Sequence, residues 1–217
     1  MRTDPYQWIA RIYNALFEPL LRPVRRMGLE LYSPKRGMVV LDIGCGTGAF
    51  LKLCSATGAA LLGIDQSPAM LTQAKKRLAE EALLVLGDGS AMPYPDSSLD
   101  LIILSMTLHE LSDETRKGVL LEARRVLKDD GTILVMDYHS GPLEFPGGWI
   151  ARALIAPIER MAGREHSRHQ RAYLSAGGVP ALAAAYGFTV EKRRLIRGRS
   201  FGLFLLRRGS IGRLSGE

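Results

Sequence analysis

The chain has 217 residues, 47% of them hydrophobic and 24% charged, which is the make-up of a globular protein long enough to bury a full core in one domain. No apolar run approaches the roughly 18 residues needed to cross a bilayer. The opening MRTDPYQW also lacks the apolar stretch of a secretory signal, so the expected compartment is the cytoplasm. The net charge of +7 is uneven: residues 149–217 hold 13 Lys+Arg against 4 Asp+Glu, and the remainder hold 16 against 18.

In chain order, Trp8, Ile9, Ile12, Tyr13, Leu16, Phe17, Leu20 and Leu21 recur at intervals of three and four and predict an amphipathic helix within residues 5–32. Pro19 and Pro23 are expected to kink or divide it. The apolar block Met38 to Ile43 predicts a buried strand that runs into Gly44-Cys45-Gly46-Thr47-Gly48 and then a helix from Ala49 to Ala56. Strands follow at Ala60 to Ile64, Leu83 to Leu86, Leu99 to Leu104 and Thr132 to Met136, with helices at Pro68 to Ala79 and Glu114 to Leu127 between them. Asp130-Gly131 is read as the break before the last of these strands.

After Asp137 a Pro- and Gly-rich stretch leads to an apolar helix from Trp149 to Met161, which reads as an insertion. A helix around Val179 to Tyr186 precedes two strands, Thr189 to Ile196 and Ser200 to Leu206, joined by a tight Arg197-Gly198-Arg199 turn as an antiparallel hairpin. The fold expected is α/β: a Rossmann-like, doubly wound sheet of seven strands, mostly parallel, with the hairpin at one edge. As a single domain it spans 1–207, with a helical lid over 1–35, a core over 36–138, a helical insertion over 139–172, a final helix and hairpin over 173–207, and a tail from 208 to 217.

Glycines at alternate positions in Gly44 to Gly48 let the backbone turn sharply and approach a ligand at the mouth of the next helix. The spacing is G-x-G-x-G, whereas dinucleotide loops favour G-x-G-x-x-G. Asp65 ends the second strand, where a carboxylate can accept from two ribose hydroxyls. Asp88, beside Gly87 and Gly89 at the end of the third strand, could take an adenine amino group, with Met70 or Met92 packing on the ring. The fourth strand delivers Ser105-Met106-Thr107-Leu108-His109-Glu110 to the same edge.

Together these segments resemble the class I S-adenosylmethionine-dependent methyltransferases. The matching residues are VLDIGCGTG, GIDQSPAML, GDGSAMPYPDSSLDLII and RRVLKDDGTILVMD, over roughly residues 36–138. The resemblance implies S-adenosylmethionine as cofactor and S-adenosylhomocysteine as product. It places Gly44, Cys45 and Gly46 along the methionine part, Asp65 on the ribose diol and Asp88 on the adenine amino group. Ser105 would hold the cofactor's amino group through its carbonyl, with Gly48, Gln66, Met70 and Gly89 completing the cofactor contacts. Asp42 is expected to brace the loop. The N-terminal helix, with Tyr6 and Tyr13, is similar to the lid of ubiquinone and menaquinone C-methyltransferases and of bacterial phospholipid N-methyltransferases.

The acceptor expected is a small or lipid-like molecule, bound by Tyr6, Tyr13, His139 and Trp149. His109 is the candidate base, and His139 competes for the role. His166 and His169, among arginines, read as surface residues. The basic C-terminal third admits peripheral contact with an anionic membrane. It carries no RNA-binding module, so nucleic acid is not an expected partner. Cys45 and Cys54 are too few for a disulfide framework, and no spacing among the four histidines calls for a metal. The other functions weighed are a nicotinamide-dependent oxidoreductase and a non-catalytic cofactor-binding module serving RNA or a protein.

Overall fold

Strand formation follows the short apolar blocks. The computed structural model describes residues 10–149 and 164–209, less the side chains of residues 10–17, 20 and 164. β1 (Val39–Ile43), β2 (Ala60–Asp65), β3 (Leu83–Leu86), β4 (Leu99–Ser105) and β5 (Leu127–Tyr138) run parallel, and β6 (Phe188–Ile196) and β7 (Phe201–Arg208) form the antiparallel edge. The seven strands lie in the order β3-β2-β1-β4-β5-β7-β6. The chain leaves β1 in one direction and returns at β4 on its other side, which opens a crevice above the carboxyl ends of β1 and β4.

Alternation along the central strands divides the core between two faces. Leu41, Ile43, Ile102, Leu104, Ile133 and Val135 meet α4 (Asp113–Val126), α5 (Arg164–Ser175) and α6 (Gly178–Ala185) through Val119, Leu120, Ala123, Tyr173, Val179 and Ala183. Val40, Leu101, Ile103, Leu134 and Met136 meet α1 (Ala10–Leu31), α2 (Ala49–Cys54) and α3 (Pro68–Leu78) through Val24, Phe50, Leu51, Leu71, Ala74 and Leu78. Each fully buried aliphatic side chain contributes about 1.5–3 kcal/mol, so the covered central strands form a rigid platform under the crevice.

Helix ends are fixed by the expected chemistry. Ser67 Oγ accepts from the Met70 N–H at 3.1 Å with Pro68 opening α3, and Ser112 Oγ accepts from the Thr115 N–H at 3.1 Å to start α4. His109 therefore lies in the β4–α4 turn, four residues ahead of a helix that starts one residue before the expected Glu114.

Two expectations are corrected, and one helix was not expected. Pro19 and Pro23 do not divide α1; both stand on its exposed side, where water can satisfy the carbonyls they leave unpaired, while Leu21, Val24 and Arg25 are buried. β5 begins at Leu127 rather than after Asp130-Gly131: Leu99 pairs with Leu127 and Leu101 with Thr132, so residues 128–131 bulge from the ladder. Arg208 pins that bulge by donating to the Leu127 carbonyl at 3.2 Å and Asp129 Oδ1 at 2.5 Å. Within the stretch read as an insertion, residues from Arg164 onward form α5, a helix that apolar periodicity alone did not disclose. Tyr6 and most of the apolar stretch from residue 150 to Met161 lie outside the described residues, as does the Tyr13 side chain.

Candidate active site

The glycine loop is built by backbone geometry. Gly44, Gly46 and Gly48 have φ of 69°, 53° and 71°, in the left-handed region that favours glycine. A Cβ at Gly48 would lie 2.6 Å from Leu78 Cδ1, so that glycine lets the loop close onto α3. A Cβ at Gly46 would meet nothing within 4 Å, which marks open space beside the loop. The Gly44 and Cys45 amides donate to the Ile64 carbonyl at 2.8 and 3.2 Å, tying the loop to the end of β2.

At that end, Asp65 Oδ2 accepts from the Gly46 N–H at 2.7 Å and Oδ1 from the Ser67 N–H at 2.8 Å. The carboxylate thus bridges the glycine loop and the cap of α3. Gln66 beside it is exposed and Met70 is buried. Asp88 is exposed, with Oδ1 accepting from the Ser90 N–H at 2.8 Å; Gly89 packs against Ile43, where a Cβ would approach to 2.7 Å. The loop that follows is clamped to α4: Arg125 donates to the Met92 and Tyr94 carbonyls, and Glu122 accepts from the Met92 N–H at 2.7 Å. The ends of β1, β2, β3 and β4 therefore meet at one edge, as the motif order implies.

Among the described residues, the buried side-chain atoms without a hydrogen-bond partner include Asp42 Oδ1 and Ser105 Oγ beside this edge. Asp42 does not brace the loop through that oxygen. Burial pushes its pKa up from 3.8 to about 8, with the Arg25 charge opposing and Asp65 adding to the rise. Arg25 reaches the site from α1 and is held by Glu18 at 2.7 Å. Burial, followed by Asp42 and Asp65, holds the Cys45 thiol well above its ordinary value, and Cys54 is pushed up to about 12. Both cysteines are neutral filler.

On the other side of the crevice, His109 is buried at 1% exposure. Its Nδ1 lies 2.7 Å from Asp137 Oδ1, and its backbone N–H donates to Asp137 Oδ2 at 3.3 Å. A carboxylate accepts, so Nδ1 carries the hydrogen of this bond, and in the neutral ring Nε2 is then the nitrogen with the lone pair. The ring packs edge-on to Tyr138 at 4.7 Å between centroids and to His166 at 5.5 Å, and Nε2 is 4.0 Å from Glu110 Oε1. Arg116, buried beneath, holds the turn by donating to the Leu108 carbonyl at 2.9 Å and the Leu111 carbonyl at 2.7 Å.

Sequence reasoning gave Asp137 and His166 no role. The β4–β5 register, with Ser105 opposite Met136, is the signal for the first, because it sets Asp137 next to the turn leaving β4. For the second, His166, His169 and Tyr173 fall at i, i+3 and i+7 of α5. His166 meets His109, His169 Nδ1 lies 2.9 Å from the Glu110 carbonyl, and Tyr173 donates to the Tyr138 carbonyl at 3.1 Å. Neither histidine is a plain surface residue. His139 lies elsewhere, 6.5 Å from the Phe204 ring, with its basicity lowered by burial and by Arg193 and Arg199. Trp149 is 64% exposed.

Comparisons with known proteins bear on the domain and its fold. A family model described as a methyltransferase domain matches residues 41–135. The demethylmenaquinone methyltransferase of Tropheryma whipplei is 37% identical over 140 residues, 64% of this chain and 57% of the relative. The malonyl-acyl-carrier-protein O-methyltransferase of Serratia marcescens is 31% identical over 168 residues, 77% of this chain and 60% of the relative. The chain thus spans less than two thirds of the length of either. A TehB-like SAM-dependent methyltransferase from Corynebacterium glutamicum shares the fold at a TM-score of 0.61 and 20% identity, covering 92% of this chain and 97% of that one. Residues 41–135 thus match a methyltransferase domain, and the fold around them is that of the class I S-adenosylmethionine-dependent methyltransferases.

Proposed function

We propose that this chain transfers the methyl group of S-adenosylmethionine to a small-molecule or lipid-like acceptor held between the β4–α4 turn and α5. The observation that carries the reading is the juxtaposition at one sheet edge of an open glycine loop tied to Asp65 and a buried His109–Asp137 pair. The residues present fit the cofactor. The space beside Gly46 suits the methionine chain, and the partnerless Asp42 and Ser105 oxygens suit its polar end.

In this reading Gly44, Cys45, Gly46 and Gly48 shape the methionine cradle, and Asp65, flanked by Gln66, takes the ribose hydroxyls. Asp88 and Gly89 meet the adenine edge, and Met70 packs below. The Ser105 carbonyl receives the amino group. When bound, the cofactor supplies a methyl carbon already activated by its sulfonium. The protein's own contribution is alignment in a dry pocket, for which proximity and orientation are worth up to about 7–11 kcal/mol. His109 acts on the acceptor through the Nε2 lone pair that Asp137 orients.

The lipid-like branch is supported by a surface near the β6–β7 turn. Phe145 is 85% exposed, and its neighbour Glu144 is joined to that turn by an N–H donated to the Gly198 carbonyl at 2.9 Å and by an ion pair to Arg199 at 2.8 Å. Exposed aromatics beside arginines suit the interface of an anionic membrane, from which Trp149 and His139 would receive an apolar acceptor. No helix of the described residues is long and apolar enough to cross a membrane, so such contact would be peripheral. The relatives give no support to a nicotinamide-dependent oxidoreductase or to a non-catalytic module.

The test is incubation of the protein with methyl-labelled S-adenosylmethionine and a whole-cell extract, followed by partition of the label. Label in the organic phase or in small molecules is the expected result. Label confined to protein or RNA would overturn the acceptor class, and no transfer at all would overturn the enzymatic reading.

A further inference from the structure

Three Lewis bases converge beside the crevice. One ligand atom each from His109, Glu110 and His166 lies within 4.8 Å of the others, with His109 buried and the other two half-buried. They come from two separate elements, the β4–α4 turn and α5, and each element is independently fixed. Arg116 holds the carbonyls on either side of the His109–Glu110 pair, His169 bonds the Glu110 carbonyl, and Tyr173 anchors α5 to the end of β5.

The second observation is the buried Asp137 carboxylate on His109 Nδ1 at 2.7 Å, with both side chains at 1% exposure or less. A carboxylate on the far nitrogen of a histidine fixes the tautomer that leaves Nε2 as a ligand and raises its basicity, which is the recurrent outer-shell arrangement of metal-binding histidines. Two imidazoles and one carboxylate, with coordination positions left open, are a donor set suited to divalent first-row transition ions such as Zn²⁺. Donors around Zn²⁺ at bonds of about 2.0–2.2 Å stand roughly 3.3–3.6 Å apart, so each side chain would move inward by under about 1 Å.

We propose that His109, Glu110 and His166 form a binding site for a divalent first-row transition ion, oriented by Asp137. The site stands on its own donors, whereas its consequence for catalysis rests on the methyl-transfer reading. There a bound ion would occupy the Nε2 lone pair in place of the acceptor and, as a Lewis acid, would draw an oxygen of the acceptor into line and favour loss of that oxygen's proton to water. No short-range spacing pointed to it, because His109 and His166 lie 57 positions apart.

The experiment is titration of Zn²⁺, and separately of Co²⁺, into chelator-stripped full-length protein without cofactor or acceptor, followed by calorimetry and the visible absorption of Co²⁺. One equivalent is expected to bind, with the intense bands of a four- or five-coordinate ion. Glu110→Gln and His166→Ala, whose side chains are only half-buried, are expected to lose that equivalent while keeping their thermal midpoints. Asp137→Asn is expected to weaken binding by about 10–100-fold. No stoichiometric binding, or equal binding by the Glu110 and His166 variants, would overturn the site. A stripped protein that still transfers methyl groups at an unchanged rate would overturn the Lewis-acid role. A protein that binds Zn²⁺ at these residues yet methylates nothing would keep the site and overturn the methyl-transfer reading.

Discussion

The two halves of the crevice are built by different means. The half above β1, β2 and β3 is made chiefly of backbone: positive-φ glycines, amides aimed at the Ile64 carbonyl, and a carboxylate that clips loop to helix. The half above β4 and β5 is made of side chains reaching across elements, with His109 on Asp137, Arg116 under the turn and His166 brought in by α5. A backbone-built site depends on local sequence and suits a constant ligand. A side-chain-built site can be altered residue by residue, which suits an acceptor that differs from one relative to another.

This contrast can be broken most forcefully at Asp42, under the backbone-built half. Its folded pKa of about 8 stands above the ordinary 3.8, so between those values the folded state holds a proton that the unfolded state has lost. Stability therefore falls as pH rises through that window, by about 1.4 kcal/mol per pH unit, and the whole stabilisation is present only below the unfolded value. Asp42→Asn should flatten this dependence and make the protein several kcal/mol more stable than wild type at pH 8, relative to the difference at pH 4. Denaturant melts at a series of pH values measure it, and parallel curves for the two proteins would contradict the burial argument.

Next in size is Asp65→Ala, which removes a carboxylate that should accept two charge-assisted bonds worth about 1.5–3 kcal/mol each. Calorimetry should show cofactor affinity reduced by about a hundredfold or more, and unchanged affinity would remove Asp65 from the ribose site. On the side-chain half, Asp137→Asn should lower turnover by about 10–100-fold while leaving cofactor affinity within about twofold. Equal losses in both would make Asp137 a support of the whole fold rather than of His109. The smallest effect is expected at Ser67→Ala, which deletes the cap of α3 and should cost about 1 kcal/mol in thermal melts. A loss much larger than this would show that the Ser67 hydroxyl does more than cap α3.

The same division explains what was legible in the sequence. The glycine loop, Asp65 and Asp88 each follow a strand within a few residues, so the local pattern locates them, and the terminal hairpin is announced by its Arg197-Gly198-Arg199 turn. His109 was visible as a polar residue at a strand end, but its partner was not, because pairing Asp137 with it requires the β4–β5 register. α5 was hidden by its composition. REHSRHQRAYLS has few apolar residues, and its inward face is made of His166, His169 and Tyr173, which bury polar bonds rather than an apolar stripe. The bulge at residues 128–131 was misread because Asp-Gly signals a turn wherever it stands, and only the pairing of Leu127 with Leu99 shows that the strand has already begun.

The most direct test of the central claim is a pair of calorimetric titrations, S-adenosylmethionine and NADH each into the wild-type protein. The account predicts one equivalent of S-adenosylmethionine, displaced competitively by S-adenosylhomocysteine, and no binding of NADH. Saturable binding of NADH, or no heat from S-adenosylmethionine at concentrations well above micromolar, would contradict it.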